Sequence, residues 1–197
     1  MVVVLDYGAS NLGSMINMLK KIGARNVIAS SDYRDIERAD RIILPGVGVF
    51  SEGIRAIDRS GTRAALDYAV RDRKIPILGV CLGMQLMANS SEESPGVTGL
   101  GWIDGHVNKL QVPKGQQLKI AHMGWNWIQS SKKSFFFNES DEPTKFYFVH
   151  SYHYVCDSPL NVLATSDHGV QFNAAILRDN VVGAQFHPEK SHKFGMN

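Results

Sequence analysis

Two residues out of 197 are cysteines, and one of them, Cys81, stands where a nucleophile can be held. In ILGVCLGMQ (residues 77–85) a strand-forming apolar run reaches Cys81 and continues as a helical pattern. Glycines lie two positions away on either side, Gly79 and Gly83. A strand–turn–helix corner strains its central residue and holds only if the flanking segments approach closely, which glycine permits. The helix that follows favours thiolate over thiol at its N-terminus, and its first amides, Leu82 included, can donate to an oxyanion. The pattern therefore suits nucleophilic catalysis by a thiolate. A small buried hydrophobe at a tight turn has the same G-x-C-x-G spacing, so Cys81 needs a base before the chemical reading is preferred. Cys156 ends a hydrophobic strand without flanking glycines and reads as core filling.

The base is expected at another strand end. VVGAQFHPEKS (residues 181–191) places His187 and Glu189 directly after an apolar run, separated by Pro188, which ends ladder pairing. In an extended chain, residues two apart point to one side, so the carboxylate would orient the imidazole and stabilise its protonated form. A surface turn with an exposed histidine is the alternative. His106, His168 and His192 lie near turns or the chain end with no carboxylate two residues on. His150 and His153, three apart in a strand, are expected on opposite faces, which argues against a metal pair.

The elements that would carry these residues alternate in the first half. VVVLDY, NVIASS, RIILPG and IPILGVC read as strands. SMINMLKKIGA, FSEGIRAIDRS and TRAALDYAVRDR read as helices, the last two broken at Gly61, and a further helix is expected from Leu82 to about Asn89. Apolar strands alternating with helices predict an α/β fold, a mostly parallel central sheet flanked by helices. In the second half HVNKL, LKIAHMGWNWIQ, KFYFVHSYHYVC, NVLATS, FNAAILR and VVGAQF are short strand-like pieces between turns, which suggests antiparallel additions to the sheet. With no repeat or linker, residues 1–197 are expected to form a single domain. The net charge of +2 offers no footprint for nucleic acid, and no apolar run is long enough to span a membrane. The N-terminus has no signal-peptide pattern, and no cysteine spacing suggests a metal or a disulfide framework. A soluble, cytoplasmic protein is expected.

GVCLGMQL and QFHPEKS, about a hundred residues apart and in this order, resemble the class I (triad-type) glutamine amidotransferases, and the resemblance covers essentially the whole chain. LPGVG (residues 44–48), DYGASNLGS and AHMGWN (residues 121–126) look like the glutaminase subunits of imidazole glycerol phosphate synthases. The resemblance implies that Cys81 is the nucleophile, His187 the general base and acid, and Glu189 the residue orienting it. It implies an oxyanion loop of Gly46, Val47 and Gly48, with Leu82 as the second donor. Gln85, Glu93, Ser151 and Tyr152 match positions that hold glutamine, although Glu92 and Glu93 otherwise read as a solvated turn. Met123, Trp125, Tyr147 and Lys190 match positions facing a (β/α)8 cyclase subunit, with which the family forms a heterodimer and to which it passes ammonia. Trp125 and Trp127 read equally as core aromatics, at least one of them more naturally so. No cofactor or metal is implied, and neither nucleic acid nor membrane is an expected partner.

Some positions depart from the family pattern. Ala121 stands where proline is common, Asn89 where an acidic residue is frequent, ASN replaces MGN in the first loop, and SHKFGMN stops where relatives continue into a helix. These motivate one other reading, a paralogous glutaminase serving a synthase that amidinates a cell-surface sugar; a second, a cysteine hydrolase of the same superfamily, is opposed by Gln85 and the PGVG loop. A non-enzymatic regulatory subunit is a third, disfavoured by the intact Cys, His and Glu.

Overall fold

The computed structural model describes residues 1–8, 12–113, 118–131 and 144–196. The ASN segment of the first loop lies outside them. The apolar runs of the first half form β1 (Val2–Leu5), β2 (Val27–Ser30), β3 (Arg41–Gly46) and β4 (Ile77–Cys81), all mutually parallel where they pair. Between them lie α1 (Leu12–Lys21), α2 (Tyr33–Arg38), α3 (Phe50–Arg59) and α4 (Arg63–Asp67), the last running on into a π-helical turn, Tyr68–Asp72. The break between α3 and α4 falls at Gly61, whose φ is +71°. Helix α2 carries one buried residue, Ile36, too few for a periodic signal; it starts because Asp32 accepts from the Arg34 amide at 2.8 Å.

Helix α5 (Leu82–Leu86) begins directly at the end of β4 and is shorter than the helix expected to reach Asn89. The chain after Leu86 bends to meet residues 99–105 instead, with the Leu100 amide on Leu86 O and the Asn89 amide on Gly105 O. The remaining strands are β5 (Ser90–Ser91), β6 (Gly105–Lys109), β7 (His122–Ser130), β8 (Thr144–His150), β9 (Tyr152–Cys156), β10 (Val162–Asp167), β11 (Gln171–Arg178) and β12 (Val181–Ala184). The large sheet has the order β2-β1-β3-β4-β12-β11-β10-β7-β8, and β5-β6-β9 form a small second sheet.

Two details differ from the sequence expectation. Strand β12 is not an antiparallel addition: it pairs parallel with β4, Ala184 opposite Val80, and only β11, β10, β7 and β8 beyond it run antiparallel. KFYFVHSYHYVC is two strands rather than one. It breaks at Ser151, so that β8 completes the large sheet while β9 joins the small one. Both details bring chain segments to the carboxyl end of β4, where open α/β sheets place their sites.

Helix α5 lies against β3 and β4 at backbone distance. A Cβ on Gly79 would sit 2.7 Å from the Gly83 carbonyl group, and one on Gly83 would sit 1.8 Å from Leu44 O. Around this contact Leu5, Leu44, Phe50, Ile57, Leu82 and Leu86 form buried core. The Gly83→Ala change must therefore push α5 off β3, and the destabilisation should reach at least the ~1–3 kcal/mol typical of overpacking. Urea denaturation checks this; a midpoint equal to that of the parent would mean the contact is not as close as described.

Candidate active site

Cys81 has φ +54° and ψ −110°, one of four non-glycine residues with positive φ among those described. It is the last residue of β4, level with Gly46 on β3. On the other side β12 delivers the chain that continues through Gln185 and Phe186 to His187. Three parallel strand ends thus bring Gly46, Cys81 and His187 to one edge of the sheet. The His187 amide donates to Tyr147 O at 2.9 Å. Buried Ser191 fastens the same segment: its hydroxyl donates to His187 O at 2.6 Å and accepts from the Tyr147 amide at 3.0 Å.

The chain after His187 is not extended. Pro188 opens a 3-10 turn, Pro188–Lys190, with His187 as its N-cap. Proline's fixed φ suits the first position of such a turn. The turn itself folds Glu189 back, so that its Oε1 lies 2.7 Å from His187 Nδ1, both side chains almost wholly buried. A carboxylate only accepts, so Nδ1 carries the proton. His187 Nε2 is buried with no hydrogen bond formed among the described residues. Burial works against the imidazolium, but the interactions with Cys81 and Glu189, and the negative charge of each, outweigh it and raise the His187 pKa to about 9.

A cavity of about 450 Å³ opens over Cys81 and His187. It is lined by Val47, Gly48 and Leu82, by Gln85 and Glu93, and by Ala121, Val149, His150, Ser151 and Tyr152. Gly46 is buried beneath, where a Cβ would fall 2.7 Å from the Tyr7 hydroxyl; that hydroxyl donates to Pro45 O at 2.6 Å. Val47 is exposed, and Gly48 has φ +109°. Gln85 donates through Nε2 to Tyr152 O at 2.9 Å and to Gln185 Oε1 at 3.0 Å. Glu93 and Glu92 are not a plain solvated turn. Glu93 Oε2 accepts from the Phe50 amide at 2.8 Å, at the start of α3, and Glu92 Oε2 accepts from the Lys109 amide.

Three of the residues matched to a partner face lie on β7 and β8, the last two strands of the large sheet, and the fourth on the turn after His187. Met123 and Trp125 are exposed on β7, with Tyr147 opposite Trp125 on β8 and their rings 6.2 Å apart. Lys190 is exposed on the turn that follows His187. The core reading of the tryptophans does not hold for either: Trp125 is 39% and Trp127 53% exposed. The cause is strand alternation, since β7 turns His122 and Ile128 inward and the odd-numbered residues outward.

Sequence reasoning missed a polar chain behind the cavity wall. His150 Nδ1 lies 2.9 Å from Tyr152 O, which can only accept, so Nδ1 is protonated and Nε2 is free to accept. His122 Nδ1 then donates to His150 Nε2 at 3.1 Å, and Asn126 Nδ2 donates to His122 Nε2 at 3.1 Å. Every ring nitrogen is used with both imidazoles neutral. Burial, with the nearby imidazole charges, lowers His122 to about 4 and His150 to about 3. His153 is not part of this series, and the described residues contain no group of three or more His, Cys, Asp or Glu able to hold a metal.

Since the folded chain resists protonating His122 and His150 while the unfolded chain takes up protons below about pH 6.5, stability must fall as pH drops through the range from 6.5 toward 4. Each histidine adds up to about 1.4 kcal/mol per pH unit to that slope. His122→Asn should flatten the acid limb of denaturation free energy against pH. Parallel limbs in variant and parent would exclude His122 as a source of the slope.

Residues 3–196 match the family described as Glutamine amidotransferase class-I. The imidazole glycerol phosphate synthase subunit HisH 2 of Pseudomonas aeruginosa is 44% identical over 196 residues, covering 100% of this chain and 95% of that one. HisH 2 of Methanococcus maripaludis is 43% identical with the same coverages, and HisH of Bdellovibrio bacteriovorus is 39% identical, covering 100% and 96%. Among solved structures, a crystal structure of a glutamine amidotransferase superposes with a TM-score of 0.75 at 17% identity, covering 100% of this chain and 95% of that one. The glutaminase domain of Trypanosoma brucei CTPS with bound acivicin gives 0.68 at 17%, covering 99% and 90%; at such identities these likenesses speak for the fold. The chain belongs to the class-I glutamine amidotransferases, among relatives that are HisH subunits of imidazole glycerol phosphate synthase.

Proposed function

We propose that this chain is the glutaminase subunit of an imidazole glycerol phosphate synthase, hydrolysing glutamine to glutamate and ammonia with Cys81, His187 and Glu189 as its catalytic residues. The observation that carries the reading is the buried 2.7 Å contact between His187 and Glu189 at the sheet edge where Cys81 is held at φ +54°. His187 takes the thiol proton through Nε2, and Sγ attacks the side-chain amide carbon of glutamine. The same imidazolium protonates the departing ammonia, leaving a glutamyl thioester, and His187 then activates the water that hydrolyses it. Glu189 stabilises the imidazolium in both halves.

The amides of Val47 and Leu82 are proposed to receive the oxyanion. Losing one such donor costs about 3 kcal/mol of transition-state stabilisation, so an exposed Val47 loop gives the partner a means of control. Gln85 has its amide hydrogens engaged by Tyr152 and Gln185, which leaves its oxygen for the substrate's ammonium group. Ser151 and Tyr152 line the same cavity, to which Glu93 adds a carboxylate. Met123, Trp125, Tyr147 and Lys190 would face a (β/α)8 cyclase in a heterodimer that receives the ammonia. No described helix is long and apolar enough to cross a membrane, in keeping with a cytoplasmic biosynthetic enzyme. The comparisons favour neither the surface-sugar paralogue nor the general cysteine hydrolase.

A glutamine-mimicking diazo or chloroketone reagent should modify Cys81 and spare Cys156, even though Cys156 is the less buried of the two. In the complex with the cyclase, Cys81→Ala should abolish glutamine-dependent product while retaining the reaction with added ammonium salts. Peptide mass mapping and a paired activity assay read the two results. Equal labelling of both thiols, or joint loss of both activities, would make Cys81 structural.

A further inference from the structure

Gln185 is a neutral polar side chain with 0% exposure, one residue past the end of β12. Its backbone amide donates to Ala174 O, continuing the β11–β12 ladder, so its position is fixed by the sheet. The orientation of its side-chain amide follows from its neighbours. Gln85 Nε2 donates to Tyr152 O, a carbonyl that can only accept, which identifies that end of Gln85 as the NH2 group. The same Nε2 lies 3.0 Å from Gln185, whose facing atom must then be the acceptor, Oε1. The NH2 group of Gln185 is left aimed at Cys81, with Nε2 3.8 Å from Sγ.

The sulfur also meets a group of opposite effect. Val149 O also lies 3.8 Å from Sγ, where it accepts from a thiol but repels a thiolate. The Gln185 N–H donor instead gains strength when the sulfur becomes negative, because hydrogen bonds to ionised groups are roughly twice as strong as neutral ones. The titratable groups around the sulfur are His187 beyond β12, Tyr7 beyond β1, and His150 and Glu93 on the cavity wall; Glu189 acts on it through His187. Tyr7 is held in its neutral form by burial and by the charge of Cys81.

Taking Cys81 as the nucleophile proposed above, we propose that Gln185 is a further catalytic residue, the hydrogen-bond donor that stabilises the Cys81 thiolate against Val149 O. Through Oε1 it also joins the nucleophile to Gln85, so that the cavity wall and the reacting sulfur are held in one hydrogen-bonded series.

The test is the pH dependence of Cys81 alkylation by iodoacetamide in the full chain, read peptide by peptide with Cys156 as internal reference. Gln185→Glu keeps the acceptor for Gln85 but replaces the donor with an anionic oxygen. Gln185→Met keeps the volume without a donor or a buried charge, so a readout remains if the glutamate variant does not fold. Both should raise the Cys81 midpoint, the methionine variant by about one pH unit, while the Cys156 profile stays in place. In the complex with the cyclase, kcat for glutamine should fall about tenfold, the factor for a lost hydrogen bond to a charged group, with KM little changed. A Cys81 midpoint unmoved in Gln185→Met would overturn the proposal and leave Gln185 a packing residue. A Cys81→Ala chain that still hydrolyses glutamine would instead overturn the nucleophile assignment on which it rests.

Discussion

The approach of α5 to β3 and β4 is the constraint on which the site depends. With a virtual Cβ on Gly83 only 1.8 Å from Leu44 O, the helix can start where it does only if no side chain stands between it and the sheet. That closeness leaves no room for a gradual turn at the end of β4, and Cys81 absorbs the change of direction at φ +54°. Strain of this kind costs on the order of 1–3 kcal/mol and persists where the surrounding structure over-determines it. Here the surroundings are the parallel neighbours β3 and β12 and the buried side chains of α5. The same arrangement puts the Leu82 backbone and the Gly46–Gly48 segment beside the sulfur.

A second constraint is electrical. His187 and Glu189 are buried together, and their interaction with Cys81 holds the imidazole protonated up to about pH 9. The stability this contributes is complete below the ordinary histidine pKa near 6.5 and is lost as pH rises through about 9. His122 and His150 behave oppositely, being buried as neutral rings that destabilise the fold only as pH falls below 6.5. Stability limited from both sides should therefore peak near pH 6.5 as far as these three groups govern it. One histidine is paired with a carboxylate beside the cysteine, and two are set to hold the loop at Ser151 and Tyr152 by hydrogen bonds alone.

That Cys81, His187 and Glu189 come together at strand ends could be read from the sequence because each sits in a segment whose neighbours state a backbone requirement: two glycines around the cysteine, and a proline between histidine and glutamate. The alternation of apolar strands and helices gave the parallel half of the sheet for a similar reason. What was not legible depends on distant pairing. Gln185 meets Gln85 across 100 residues and Cys81 across 104, and although it opens QFHPEKS no local pattern states what its side chain touches. The direction of β12 was hidden because an apolar run reads the same whichever way its neighbour points. The outward tryptophans of β7 were misjudged because size argues for burial, whereas the phase of the strand decides it.

The central claim is that a buried carboxylate holds the imidazole that serves the strained cysteine. The most direct measurement is steady-state glutamine hydrolysis by Glu189→Gln in complex with the cyclase, with circular dichroism recorded in parallel. The substitution keeps the side-chain volume and an oxygen for His187 Nδ1, and removes only the charge. Turnover should fall by about 10⁴, as for an uncharged replacement in an acid–histidine–nucleophile triad, with an unchanged folded spectrum. A folded Glu189→Gln complex turning over glutamine at the parent rate would contradict the account.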